Sequence, residues 1–165
     1  MDSVYRNKYR LKSTRLSTWD YGSHGKYFVT ICTDKMIPYF GTIEDSGLIK
    51  TDIGDFVSKC WESIPKLNNC VELDSYILMP NHLHGIVCFG EKRRLDWNPN
   101  QFGPQSQNLA SVIRGFKGAV KSFAMAHSIE FHWQPRYYDR IIRNDQGLNQ
   151  IREYIRDNPR NWSKT

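Results

Sequence analysis

An α+β fold, an antiparallel sheet with helices packed on one face, is predicted by three observations. The chain has 165 residues, enough for one domain with its own core. Its apolar runs switch between period two and helical spacing in the order β, hairpin, α, β, β, α, β, α, which is close to the split β-α-β arrangement. No internal repeat or second linker divides those runs.

The chain begins with a basic arm, assigned to residues 1–25, whose first sixteen residues hold five basic side chains against one acid. The first strand is KYFVTICT, residues 26–33, a run of β-branched and aromatic residues. MIPYFGTIEDSGLIKT follows as a peripheral hairpin with glycine in its turn. From Thr51, the residues Ile53, Phe56, Val57, Cys60, Trp61 and Ile64 recur at helical spacing, and Pro65 is the expected stop. VELDSYILM and HLHGIVCFG are two strands joined through Pro80 and Asn81. Residues 90–108 lose periodicity, hold two prolines and two glycines, and read as a long surface loop. A second helix starts near Leu109 and puts Val112, Ile113, Phe116, Ala119, Val120 and Phe123 on one stripe. RYYDRIIRN is the last strand, and a final helix over Asp145 to Asp157 is expected to end before Pro159.

Charge narrows the partners. Twenty-three Lys and Arg against seventeen Asp and Glu give a net charge of +6, which favours acidic partners, nucleic acid first. The four cysteines form no CxxC pair, which argues against a zinc ribbon or a thioredoxin-like motif. No secretory signal and no apolar run of membrane-spanning length is present, so the expectation is a cytoplasmic protein with reduced thiols and no membrane association.

The stretch MPNHLHGIV, residues 79–87, carries the chemistry. A strand alternates faces, so His82, His84, Ile86 and Cys88 share one side while Leu83, Gly85, Val87 and Phe89 share the other, which reads as core. With the helices on the core side, the histidine face is expected to stay open. Two imidazoles at i and i+2 stand close enough to hold one divalent ion; they serve equally well as polar residues on a wet sheet face. In the last helix, Tyr154 and Asn158 stand at i and i+4 on one face, with Ile151 and Ile155 as anchors. Tyr137 and Tyr138 compete with Tyr154 for any role as nucleophile. Arg114, Lys117, Lys121, Arg152 and Arg156 are candidate phosphate contacts, each of which also reads as part of a solvated face.

MPNHLHGIV, WQPRYYDRIIRN and the terminal YIRDNP, in that order over roughly residues 26–160, together resemble the single-tyrosine HUH transposases. The resemblance is closest to the branch associated with repetitive extragenic palindromic (REP) sequences. It implies a ferredoxin-like, RRM-like antiparallel sheet with a C-terminal helix carrying the tyrosine, in a transposase domain spanning 26–160 and followed by a tail at 161–165. By the same resemblance, His82, His84 and Asn158 hold Mg2+ or Mn2+, and Tyr154 cleaves single-stranded DNA beside a hairpin to leave a 5′-phosphotyrosine and a free 3′-hydroxyl. Insertion-sequence members carry glutamine where this chain has Asn158, one methylene shorter. Two other readings stay open: a non-catalytic single-stranded nucleic-acid-binding module of RRM-like topology, and a metal-dependent hydrolase with water as nucleophile. Monomer and homodimer are both compatible with the sequence.

Overall fold

The structure is a computed structural model that describes residues 4–5, 8–9, 25–90 and 108–162. The interior of the 90–108 loop and the tail from 163 onward lie outside the described residues, as does most of the N-terminal arm. Within that arm β1 (Val4–Tyr5) and β2 (Lys8–Tyr9) pair antiparallel.

The sheet begins with β3 (Gly25–Cys32), whose Tyr27, Val29 and Ile31 are wholly buried, as period two requires of a strand with one face on the core. The hairpin of β4 (Gly41–Glu44) and β5 (Gly47–Lys50) forms a separate two-stranded sheet. Gly41, at a φ of 147°, lies so close to β5 that a Cβ there would meet the Ile49 carbonyl at 2.1 Å. Helix α1 (Asp52–Glu62) starts where the Thr51 hydroxyl accepts a hydrogen bond from the Gly54 amide at 3.2 Å.

Pro65 is not the stop that the sequence suggested. Helix α1 ends at Glu62, and Pro65 lies in the first turn of a short helix, α2 (Ile64–Leu67), where its missing amide hydrogen is not needed. Strands β6 (Val71–Met79) and β7 (His82–Phe89) follow, joined through Pro80 and Asn81. Helix α3 (Leu109–Ala126) opens on a reciprocal cap between Asn108 and Ser111. Strand β8 (Tyr138–Ile142) and helix α4 (Asp145–Trp162) complete the chain.

The four long strands lie in the order β6-β7-β3-β8, every pair antiparallel. On one face α1 and α3 bury Trp61, Ile113, Phe116 and Val120 against Tyr27, Val29, Leu83 and Val87. Gly85 belongs to that face. A Cβ there would sit 2.5 Å from Trp61 Cζ2, so the absent side chain makes room for the indole.

Two expectations are corrected by α4. The histidine face is not open: Leu148 and Ile155 bury Ile86 beneath them, with Phe28, Ile77, Cys88, Ile142 and Ile151 packed around. The physical reason is that Ile86 and Cys88 share the histidine side of β7, and an apolar surface there gains free energy by being covered. The final helix also runs through Pro159 to Trp162. Proline removes one backbone hydrogen bond, and the last turn has a tertiary anchor in Trp162, whose ring lies 6.2 Å from that of His82. Among the described residues no helix is long and apolar enough to cross a membrane.

Candidate active site

His82 and His84 project from the same side of β7 with their rings 4.5 Å apart at an angle of 68°. Each ring is held through Nδ1. For His82 the partner is Asn81 Oδ1 at 2.7 Å. The Asn81 amide nitrogen donates to the Met36 carbonyl at 3.1 Å, which makes its oxygen the acceptor. His82 Nδ1 therefore carries the proton and Nε2 keeps a lone pair. For His84 the partner is Thr30, directly opposite on β3, whose Oγ1 lies 2.8 Å from Nδ1. Phe28, two residues earlier on the same face, stacks on the His84 ring at 5.4 Å.

Helix α4 brings the phenol and the amide to this pair. Ile155, buried against the sheet, fixes the height of the helix, and Tyr154 beside it reaches His84, with its hydroxyl 3.4 Å from Nε2. The Tyr154 ring meets Phe28 edge-on at 6.0 Å, and the residue is half exposed. One turn later on the same helix stands Asn158, near enough to the His82 imidazole to favour its protonated form.

Burial sets the charge state. The His84 imidazole is pushed down to about 3 by desolvation, and the neighbouring His82 pushes in the same direction. Burial lowers His82 as well, and the Asn158 contact partly opposes it. Both rings are thus neutral at neutral pH, the form in which imidazole binds a metal. Among the described residues no group of three His, Cys, Asp or Glu side chains could hold an ion. His82 and His84 are the imidazole donors on this face, and Asn158 lies one turn beyond Tyr154 on α4.

The five candidate cations divide into two groups. Arg152 lies on α4 and makes two bonds to the Asp74 carboxylate on β6, at 2.9 and 2.6 Å, and Arg156 pairs with its neighbour Asp157 at 3.1 Å. Lys117, Lys121 and Arg114 lie on α3, across the sheet from the histidines. The Lys117 ammonium donates to the Gln134 and Arg136 carbonyls at 2.8 and 2.9 Å, and Lys121 donates to the Phe131 carbonyl. The structure thus uses both lysines to tie down the segment before β8. Of the competing tyrosines, Tyr137 packs against the larger core, whereas Tyr138 is exposed and shares a cleft with Tyr154.

Sequence reasoning missed Asn81, Thr30 and Phe28 as parts of the site. Asn81 was visible beside the histidines, read only as a turn residue. Thr30 and Phe28 carried no local signal, because only the β3–β7 register brings them to His84.

No protein-family profile matches the chain. An uncharacterized protein of Haemophilus influenzae is 40% identical over 162 residues, covering 93% of this chain and 90% of that protein. Among solved structures, a REP-associated tyrosine transposase bound to a REP hairpin superposes with a TM-score of 0.60 and 19% identity, over 91% of this chain and 73% of that one. A further structure, from Deinococcus radiodurans, is 17% identical over 89% of this chain and 97% of that one, with a TM-score of 0.40.

Proposed function

This chain belongs to one family with the Haemophilus influenzae protein and shares the fold of the REP-associated tyrosine transposase, and on that premise we propose that it cleaves and transfers single-stranded DNA beside a hairpin, with Tyr154 as nucleophile. The observation that carries the reading is the convergence of Tyr154 on the histidine pair, hydroxyl to His84 Nε2 at 3.4 Å, from an element 70 residues away. The sheet order supports a ferredoxin-like arrangement, with β3 and β7 central and β6 and β8 at the edges. Residues 26–160 are the catalytic domain in this reading.

The donor set suits a divalent ion. His82 and His84 each offer Nε2 with Nδ1 engaged behind it, the outer-shell arrangement that orients metal-binding imidazoles. With Asn158 as third ligand, Mg2+ or Mn2+ would neutralise charge on the scissile phosphate. The chain does the rest. Phe28 and Ile155 hold the phenol beside the pair, so that attack on phosphorus is a matter of position. The Tyr154 oxygen forms a bond to phosphorus, the bond from phosphorus to the 3′-oxygen breaks, and the phenolic proton leaves to solvent. The departing 3′-oxygen takes a proton from water. A 3′-hydroxyl attacking the phosphotyrosine reverses the step, so strand transfer needs no nucleotide cofactor.

The test uses hairpin DNAs with single-stranded flanks, labelled on the 3′ side and incubated with Mn2+. The wild type should give a denaturation-resistant protein–DNA species. Tyr154→Phe should bind the same DNA with near-normal affinity and give none. An adduct that survives Tyr154→Phe moves the nucleophile to Tyr138, and no adduct over a broad panel of hairpins removes covalent transfer.

A further inference from the structure

A cleft of about 430 Å³ opens beside Tyr154, between α4 and the β3–β8 edge, and the chemistry above leaves it unused. Its construction follows from register and helical spacing. Arg140 pairs with Phe28 and Tyr138 with Thr30 across β3 and β8, so these side chains share the face toward α4. On the helix, Gly147, Gln150 and Tyr154 recur at three and four residues and line the opposite wall. Gly147 puts no side chain into that wall. Tyr138 is 65% exposed and lines the cleft.

We propose that this cleft receives one unstacked nucleobase of the single strand, the base next to the phosphate that Tyr154 attacks; the proposal rests on the nucleophile reading above. A base brings a flat π-face and a hydrogen-bonding edge, and the lining matches both. Tyr138 offers a stacking surface of the kind on which single-stranded bases are held. The Gln150 amide offers a donor and an acceptor to the edge. The Arg140 guanidinium supplies the positive charge that a phosphate requires and an apolar ligand would not. The volume lies at the low end of the range for small-molecule sites, about 300 to 1,000 Å³, which suits a nucleotide and excludes a duplex. Phe28 belongs to both places: it lines the cleft and stacks on His84, so a base seated here fixes its own phosphate against the histidine wall.

The experiment uses the full chain in EDTA, where no cleavage occurs, and hairpin DNAs carrying 2-aminopurine at one flank position at a time. Stacking on an aromatic ring quenches this base. One flank position should be quenched by the wild type and by Tyr138→Phe but not by Tyr138→Ala, and Tyr138→Ala should bind roughly 5- to 150-fold more weakly. Gln150→Leu should leave the quench and change which base is preferred at that position. Quenching and affinity unchanged in a folded Tyr138→Ala protein, or no quenched position, overturns the proposal. Adduct formation with Mn2+ is scored separately. An adduct without Tyr138-dependent quenching removes the base site alone, whereas Tyr138-dependent quenching without an adduct keeps the base site and removes the nucleophile.

Discussion

Asp74→Asn replaces the carboxylate that grips Arg152 with a neutral amide and so loosens the joint between α4 and the sheet. Arg152 lies two residues before Tyr154, and its guanidinium bonds Asp74 at 2.9 and 2.6 Å. Those hydrogen bonds, above all, hold the Asp74 carboxyl at about 2 against its ordinary 3.8. A gap of that size would be worth roughly 2.5 kcal/mol if the pair were shielded from water. The Arg152 side chain is 42% exposed, and solvent screening reduces the contribution to about 1 kcal/mol. For a chain of this length the expected loss is about 2 to 4 °C in Tm.

The pH dependence gives this prediction its signature. The carboxyl is depressed in the folded state, so its contribution is complete above the unfolded value near 3.8 and is lost as pH falls through about 2. Urea unfolding of wild type and variant should therefore show a constant difference at neutral and mildly acidic pH that closes between about pH 4 and pH 2. At neutral pH, adduct formation should fall by a larger factor than hairpin affinity, because the joint positions the phenol and not the DNA. A difference that does not close in acid, or no difference at neutral pH, would refute the reasoning.

Gly85→Ala should destabilise the domain by about 1 to 3 kcal/mol in chemical denaturation, because the new methyl meets Trp61 Cζ2 at 2.5 Å in a fully buried setting; an unchanged midpoint would mean that the indole moves aside freely. Lys117→Met removes the bonds to the Gln134 and Arg136 carbonyls and should cost about 1 to 3 kcal/mol of stability. It should leave the salt dependence of hairpin binding as it was. A slope flattened by about 0.7 to 0.9 would return this lysine to the DNA. His84→Gln should abolish Mn2+ uptake measured by electron paramagnetic resonance while the near-ultraviolet dichroism stays native. Glutamine is the conservative choice because His84 is buried beneath Phe28 and Tyr154, and undiminished Mn2+ binding by this variant would sink the paired-ligand assignment.

By itself the sequence determined whatever depends on local periodicity. Which residues of β7 share a side follows from period two, and the pairing of Tyr154 with Asn158 follows from helical spacing, so both halves of the candidate site were legible before any fold was known. The strand runs and the two long helices were legible on the same grounds. Tertiary structure alone decided what lies between elements. The contact of Tyr154 with His84 spans 70 residues and the Arg152–Asp74 bridge 78, and both exist because Ile86 must be covered and the Leu148 and Ile155 side chains cover it. The same cover closed the face expected to be open. The anchor of Trp162 beside His82 accompanies a helix that continues through Pro159. Lys117 and Lys121 looked like solvated cations on a helical wheel because the carbonyls that receive them come from residues 131–136, whose path past α3 no periodicity encodes. Period is a property of neighbours in the chain; the register of α4 on the sheet is settled by apolar burial between residues far apart in it.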